Sequence, residues 1–152
     1  MNELNGYDIE DLEVGMSACF SKTITEADIV LSAGASGDNN AIHINENFAK
    51  TTLFGGRIAH GFLTASTISA AIANRLPGPG TIYMSQNMRF VGPVRPGETV
   101  DALVTVKDLN REKSRVVLST VCLVGDRVVV DGEAIVKTTS SACLTSAPAG
   151  QI

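Results

Sequence analysis

Between Gly61 and Arg75 the chain carries no formally charged side chain. Inside that gap Phe62, Leu63, Ala65, Ile68, Ala70, Ala71, Ile72 and Ala73 are spread around every side of a helix instead of lying along one stripe. A helix that is apolar all round has to be enclosed by other elements. The stretch also holds several hydroxyls and many alanines and begins beside His60, which makes it poor material for a bilayer span. Asn74, Arg75 and Pro77 supply its stop. The remainder of the chain must therefore provide something for this helix to sit in.

Beyond Gly80 the pattern turns to strands. Ile82, Met84, Met88 and Phe90 alternate with Tyr83, Ser85, Asn87 and Arg89, and Val100, Ala102, Val104 and Val106 alternate with Asp101, Leu103 and Thr105. Residues 116–124 and 127–136 are dense in Val and Leu and are joined by Gly125-Asp126, a dipeptide suited to a hairpin turn. Upstream, Met16, Ala18, Phe20 and Ile24 mark a first strand, and Thr25 before Glu26, Ala27 and Asp28 caps a short helix that should end near Gly34. The sum is an α+β layout of about five strands with short connections, an antiparallel sheet and one long central apolar helix. At 152 residues the chain suits one domain, over 1–139, followed by a loose tail over 140–152 that is small, polar and aperiodic.

Composition narrows the function. With 44% hydrophobic and 18% charged residues the chain has the make-up of a soluble globular protein. Twelve Lys and Arg stand against 16 Asp and Glu with no basic run, so no nucleic acid partner is expected. The N-terminal residues lack the basic and apolar regions of a secretory signal, which points to the cytoplasm. Cys19, Cys122 and Cys143 are odd in number, far apart and without metal-ligand spacing, and are read as reduced small hydrophobes.

Asp38 and His43 are five positions apart, which on a continuous helix would separate them by about 140°. They converge only if the residues between Gly37 and Asn40, all turn formers, break into a loop. An acid/base pair sharing one water is then feasible, and so is a plain Asx turn beside an ordinary histidine. His60-Gly61 has the same two readings. A glycine opening a buried helix leaves its N–H free to hold an oxyanion, yet Gly61 could serve close packing and His60 could cap the helix.

Ser36-Gly37-Asp38-Asn39-Asn40-Ala41-Ile42-His43 and Arg57-Ile58-Ala59-His60-Gly61-Phe62-Leu63 resemble the signature of the MaoC-like (R)-specific enoyl-CoA hydratases. The likeness continues through residues 76–83 and 89–98 and spans about 20–135. It implies a hot-dog fold, a long helix wrapped by an antiparallel sheet, and a homodimer. It also implies the reversible syn hydration of trans-2-enoyl-CoA to (R)-3-hydroxyacyl-CoA, in fatty-acid oxidation or polyhydroxyalkanoate precursor supply. Asp38 and His43 would be the catalytic pair, with the Gly61 N–H receiving the thioester oxygen. Ser66 or Ser69 would bond near the Asp, and Asn40 would support the loop. The two serines share one side of the helix, where bonding back to a carbonyl one turn earlier is the default. A dry pocket around the carboxylate would make it a better base. One residue departs from the family pattern: Ala41 stands where proline usually follows the Asp-x-Asn, so the loop loses a fixed φ.

Rival readings follow from the same residues. A hot-dog thioesterase, or a dehydratase acting on acyl-carrier-protein thioesters, resembles this chain less because residues 61–76 hold no Asp or Glu. A metal or binding module would use Asp38, His43 and His60 as ligands, but no fourth ligand suggests itself. No metal and no cofactor are expected: adding water to a thioester already activated involves no redox change, and CoA is part of the substrate.

Overall fold

The computed structural model describes residues 1–144. Most of the expected loose tail lies outside these residues. Its first part differs from expectation, because Ser141–Leu144 forms a helical turn, α5, held to the N-terminal region through Ser140 Oγ and the Ser141 N–H on the Glu10 carboxylate.

Five strands form one antiparallel sheet in the order β1-β3-β4-β5-β2. They are β1 (Ser17–Thr23), β2 (Ile82–Phe90), β3 (Thr99–Asn110), β4 (Arg115–Val124) and β5 (Arg127–Lys137). In the centre the sequence alternation translates directly into burial. Val100, Ala102, Val104 and Val106 of β3 and Val116, Leu118 and Cys122 of β4 all turn inward and are buried. Gly125 takes φ 58 in the β4–β5 turn, a conformation that glycine adopts without a Cβ penalty.

The edge strand β2 behaves differently from its pattern. A register shift between Tyr83 and Ser85 inserts Met84 as an extra residue, which changes the phase of the alternation. Only Gln86 and Met88 are half-buried, while Ile82 (61%), Met84 and Phe90 are exposed. Alternation predicted the strand correctly. It carried no information on whether anything covers it.

The long helix α4 (Gly61–Asn74) lies on β1, β3 and β4 with Thr64, Ala65, Thr67, Ile68, Ala71 and Ile72 inward. Burying side chains such as Ile68 and Ile72 contributes about 1.5–3 kcal/mol each. The two inward threonines need no external partner, since Thr67 Oγ1 donates to Thr64 O at 2.7 Å and Thr64 Oγ1 to His60 O at 3.4 Å. The expected all-round enclosure is met on one side only. Phe62 (75% exposed), Ser66 and Ser69 face outward in the single chain.

Helix α1 (Glu26–Ser36) starts as expected at Thr25, whose hydroxyl accepts from the Asp28 N–H while Asp28 Oδ2 accepts from the Thr25 N–H. It runs two residues past Gly34. Gly37, at φ 78, supplies the left-handed stop, with its N–H on Ala33 O. Two single-turn helices follow, α2 (Ala41–Ile44) and α3 (Glu46–Ala49), and α1 and α2 contact each other beside α4. Among the described residues no helix is long and apolar enough to cross a membrane.

Candidate active site

The segment leaving α1 is built from consecutive side chain to main chain bonds. Asp38 N–H donates to Ser36 Oγ (3.1 Å), Asn40 N–H to Asp38 Oδ1 (3.2 Å), and Ile42 N–H to Asn40 Oδ1 (3.2 Å). Asn40 thus bonds the Asp38 carboxylate through its N–H and caps α2 through its side chain. His43 lies on the single helical turn α2, not on the loop that the turn formers suggested. The chain reverses before that turn, so the two residues converge all the same: His43 Nε2 is 4.0 Å from Asp38 Oδ2. The plain Asx turn and the acid/base pair are therefore compatible, one carboxylate oxygen serving each.

The tautomer of His43 follows from its partner. Nδ1 lies 2.8 Å from the Ile58 carbonyl, which can only accept, so Nδ1 carries a hydrogen, and in the neutral ring Nε2 offers a lone pair. Two acceptors, Nε2 and Oδ2, then face each other across 4.0 Å. Hydrogen bonds of about 2.8 Å from one water to both would subtend about 90° at its oxygen, near the natural angle of water. Asp38 is 52% exposed and the His43 side chain 10%, so the dry surroundings expected for the carboxylate are missing in the single chain.

The Ile58 carbonyl belongs to a segment clamped by Arg57. Its guanidinium bonds both oxygens of Glu26 on α1 (2.6 and 2.9 Å) and one of Glu46 on α3 (3.3 Å). These bonds raise Arg57 above its ordinary range, and the Arg57 backbone N–H and side chain lower Glu46. The two carboxylates are exposed and only Arg57 is half-buried, so the clamp orders the segment more than it stabilises the fold.

A cavity of about 590 Å³ opens beside His43, lined mainly by apolar groups including Phe54, Ile58, Phe62, Phe90, Val94 and Val130. Gly61, also on its wall, is the first residue of α4, where the N–H has no intrahelical acceptor and the helix dipole favours negative charge. A Cβ on Gly61 would come within 2.9 Å of the Phe90 ring, which packs edge-on against Phe62. Close packing and a free N–H thus coexist at this glycine.

His60 was expected to cap α4 or, in the rival reading, to join a metal set, and its side chain makes no capping bond. It is buried, donates from Nε2 to the Asp38 carbonyl at 2.9 Å, and lays its ring 3.9 Å from that of His43 with a 32° tilt. The sequence offered one hint, its adjacency to Gly61. The serines fare less well. Ser66 Oγ donates back to Leu63 O at 2.6 Å, though Ser66 does line a shallow second cavity with Asp38, His60 and Phe62. Ser69 is exposed and lines neither cavity, and among the described residues neither serine bonds Asp38.

Ligand atoms of Asp38, His43 and His60 do lie within 4.8 Å of one another. The set suits a metal poorly. One nitrogen of each ring is committed to a main-chain carbonyl, and among the described residues no fourth ligand joins the three.

Known proteins are similar to this chain over most of its length. An (R)-specific enoyl-CoA hydratase of Rhodospirillum rubrum is 53% identical over 127 residues, covering 84% of this chain and 88% of the relative. A 3-hydroxybutyryl-CoA dehydratase of Methylorubrum extorquens is 50% identical over 135 residues, covering 89% and 86%. Among solved structures, the unliganded R-hydratase PhaJ1 of Pseudomonas aeruginosa superposes with a TM-score of 0.84 at 41% identity, covering 90% of this chain and 88% of that one. The (R)-hydratase of A. caviae involved in PHA biosynthesis gives 0.82 at 39%, covering 85% and 98%. Residues 13–126 match the MaoC like domain. With its central helix laid on a five-stranded antiparallel sheet, the hot-dog arrangement, this chain belongs to the MaoC-like family.

Proposed function

We propose that the protein is an (R)-specific enoyl-CoA hydratase, a hydro-lyase that reversibly adds water to trans-2-enoyl-CoA to give (R)-3-hydroxyacyl-CoA. The observation that carries this reading is the pair of acceptors, Asp38 Oδ2 and His43 Nε2, facing each other across 4.0 Å, with His43 on the wall of an apolar cavity. Both hydrogens of one water are then engaged, and its oxygen lone pair is left for C3 of the substrate. As the C3–O bond forms, the pair takes one proton from the water and returns a proton to C2. Both groups lie on one side of the bound acyl chain, so hydrogen and hydroxyl add to the same face. General acid/base help of this kind contributes about 10²–10⁴-fold. The negative charge that develops on the thioester oxygen is received by the Gly61 N–H, a type of contact worth about 10²–10³-fold.

The alternatives, thioester hydrolysis or action on an acyl-carrier-protein substrate through a helix carboxylate, lack their carboxylate. Gly61–Asn74 contains no Asp or Glu. Neither metal nor cofactor enters this reading, because the reaction transfers no electrons and CoA arrives with the substrate. Of the two expected pathways, fatty-acid oxidation and polyhydroxyalkanoate precursor supply, the second is in keeping with the PHA biosynthesis stated for the A. caviae relative.

A cytoplasmic homodimer completes the reading. The exposed free thiol of Cys19 and the buried one of Cys122 suit a reducing compartment. Phe90 on the edge strand touches Phe62 on the open face of α4, so these two exposed rings make one apolar surface. A second copy related by a twofold axis would cover this surface and help to dry Asp38.

The test is a hydration assay over short and medium trans-2-enoyl-CoA thioesters with chiral analysis of the product, alongside sedimentation of the protein. (R)-3-hydroxyacyl-CoA from a dimer supports the reading. Free CoA release without hydration would replace it with the thioesterase reading.

A further inference from the structure

The geometry of the pair has to be held on a segment that is itself mostly exposed. Ser36 through Asn40 are all open to solvent, and their bonds to one another fix local shape without tying the segment to the core. One buried side chain makes that tie. His60 reaches back 22 positions to donate from Nε2 to the Asp38 carbonyl, and its ring covers a face of the His43 ring. His60 also stands directly before Gly61, at the start of α4, while its neighbour Ala59 is fixed to the chain ahead of β3 by a 2.7 Å bond to Val94 O. A single imidazole thus links the carboxylate, the second acceptor and the start of the helix that presents the oxyanion donor.

The remaining nitrogen of His60 sharpens the point. Because the Asp38 carbonyl can only accept, Nε2 bears the hydrogen of the neutral ring and Nδ1 is left as an acceptor. Among the described residues that Nδ1 is buried and has no hydrogen-bond partner. Buried nitrogens in that state are uncommon and ask for an explanation. His60 does not line the apolar cavity that His43 and Gly61 share, so the explanation is not contact with the acyl chain.

We propose that His60 is a positioning residue for hydration. It sets the separation and direction of the two acceptors, Asp38 through its main chain and His43 through its ring, and exchanges no proton with substrate or water. With the Ile58 carbonyl on Nδ1 and the His60 ring against its face, the His43 imidazole is confined to the orientation that points Nε2 at Asp38. The inference rests on the hydratase reading for its kinetic consequence, but its structural half can be read without turnover.

The test uses three variants of the full chain. His60→Phe keeps a ring against His43 and loses the donor, His60→Gln keeps a donor of similar reach and loses the ring, and His60→Ala loses both. Each is assayed for hydration of a short trans-2-enoyl-CoA beside wild type and Asp38→Asn, and the His43 ring nitrogens are followed by ¹⁵N NMR. We expect kcat of His60→Phe to fall about tenfold to a hundredfold, the scale of a misplacement of about 1 Å, with KM nearly unchanged. His60→Gln should recover part of that loss. The wild-type His43 signals should show one tautomer, hydrogen on Nδ1, and those of His60→Ala a mixture. If His60→Ala does not fold, the two volume-filling variants carry the test. Wild-type kcat in His60→Phe, or an unchanged single tautomer across the variants, overturns the proposal. So does a His60→Gln protein as inactive as Asp38→Asn, which would make His60 a proton carrier. A wild-type protein that hydrates no enoyl-CoA but still loses its single His43 tautomer on substitution would sink the hydratase reading and leave the positioning role standing.

Discussion

The centre of the sheet and the segment from Ser36 to His43 fix their residues in opposite ways. On β3 and β4, position follows from burial: every second side chain from Val100 to Val106 and from Val116 to Cys122 is inward because water is excluded there. From Ser36 to Asn40 almost nothing is buried, and position follows from a relay of directional bonds ending at His60. The first scheme tolerates a lost hydrogen-bonding atom and not a lost volume. The second tolerates a change of volume and not a lost donor or acceptor. Substitutions in the two regions should therefore separate stability from catalysis almost completely.

The largest effect is expected at the site. His43→Ala removes one acceptor of the pair, so kcat for hydration should fall by about 10²–10⁴-fold while the melting temperature barely moves. Steady-state kinetics with thermal unfolding of the same sample checks both. Leu118→Ala, at a fully buried position on β4, should do the reverse. Denaturant unfolding should show a loss of about 2–5 kcal/mol, and kcat measured where the variant is still folded should remain close to wild type.

A smaller effect sits at the start of α1, where Asp28 is held down to about 2 by the Thr25 N–H, the Thr25 hydroxyl and Lys22. Because its folded value is depressed, its contribution to stability is fully present above the ordinary carboxylate value near 4 and fades as pH falls toward about 2. The stability difference between wild type and Asp28→Asn should shrink over that window and stay constant from pH 5 to about 7. The smallest effect concerns the departure from the family pattern. Ala41 is the first residue of α2, where the N–H has no intrahelical acceptor, and Asn40 before it sits at φ −55 and ψ 130, which a following proline permits. Ala41→Pro should be accepted and raise stability by about 0.4–1 kcal/mol, measured by chemical denaturation, with kcat unchanged.

The same contrast explains what could be read from the residues alone. Helix α4, strands β3 to β5, the Thr25 cap and the Gly125-Asp126 turn are local patterns of period or cap, and each is where it was expected. The exposure of β2 was hidden because alternation reports a strand's faces and not its cover, and the bulge at Met84 follows from no spacing rule. The approach of Asp38 to His43 was legible only as a possibility until the family resemblance was weighed, since spacing alone favours a plain turn. His60 was nearly invisible. Its contacts join positions 22 and 17 residues apart, and no periodicity encodes them. Neither Ser66 nor Ser69 bonds Asp38 in the single chain, which leaves Gly61 as the residue of α4 with the clearest place at the site.

The central claim is that two facing acceptors hold the attacking water, and Asp38→Asn tests it most directly. The substitution preserves the shape of the side chain and an oxygen for the Asn40 N–H but replaces the carboxylate that faces His43. Turnover of a short trans-2-enoyl-CoA by this variant, with its circular dichroism matched to wild type, should be lower by about 10²–10⁴-fold. Turnover equal to wild type would contradict the account.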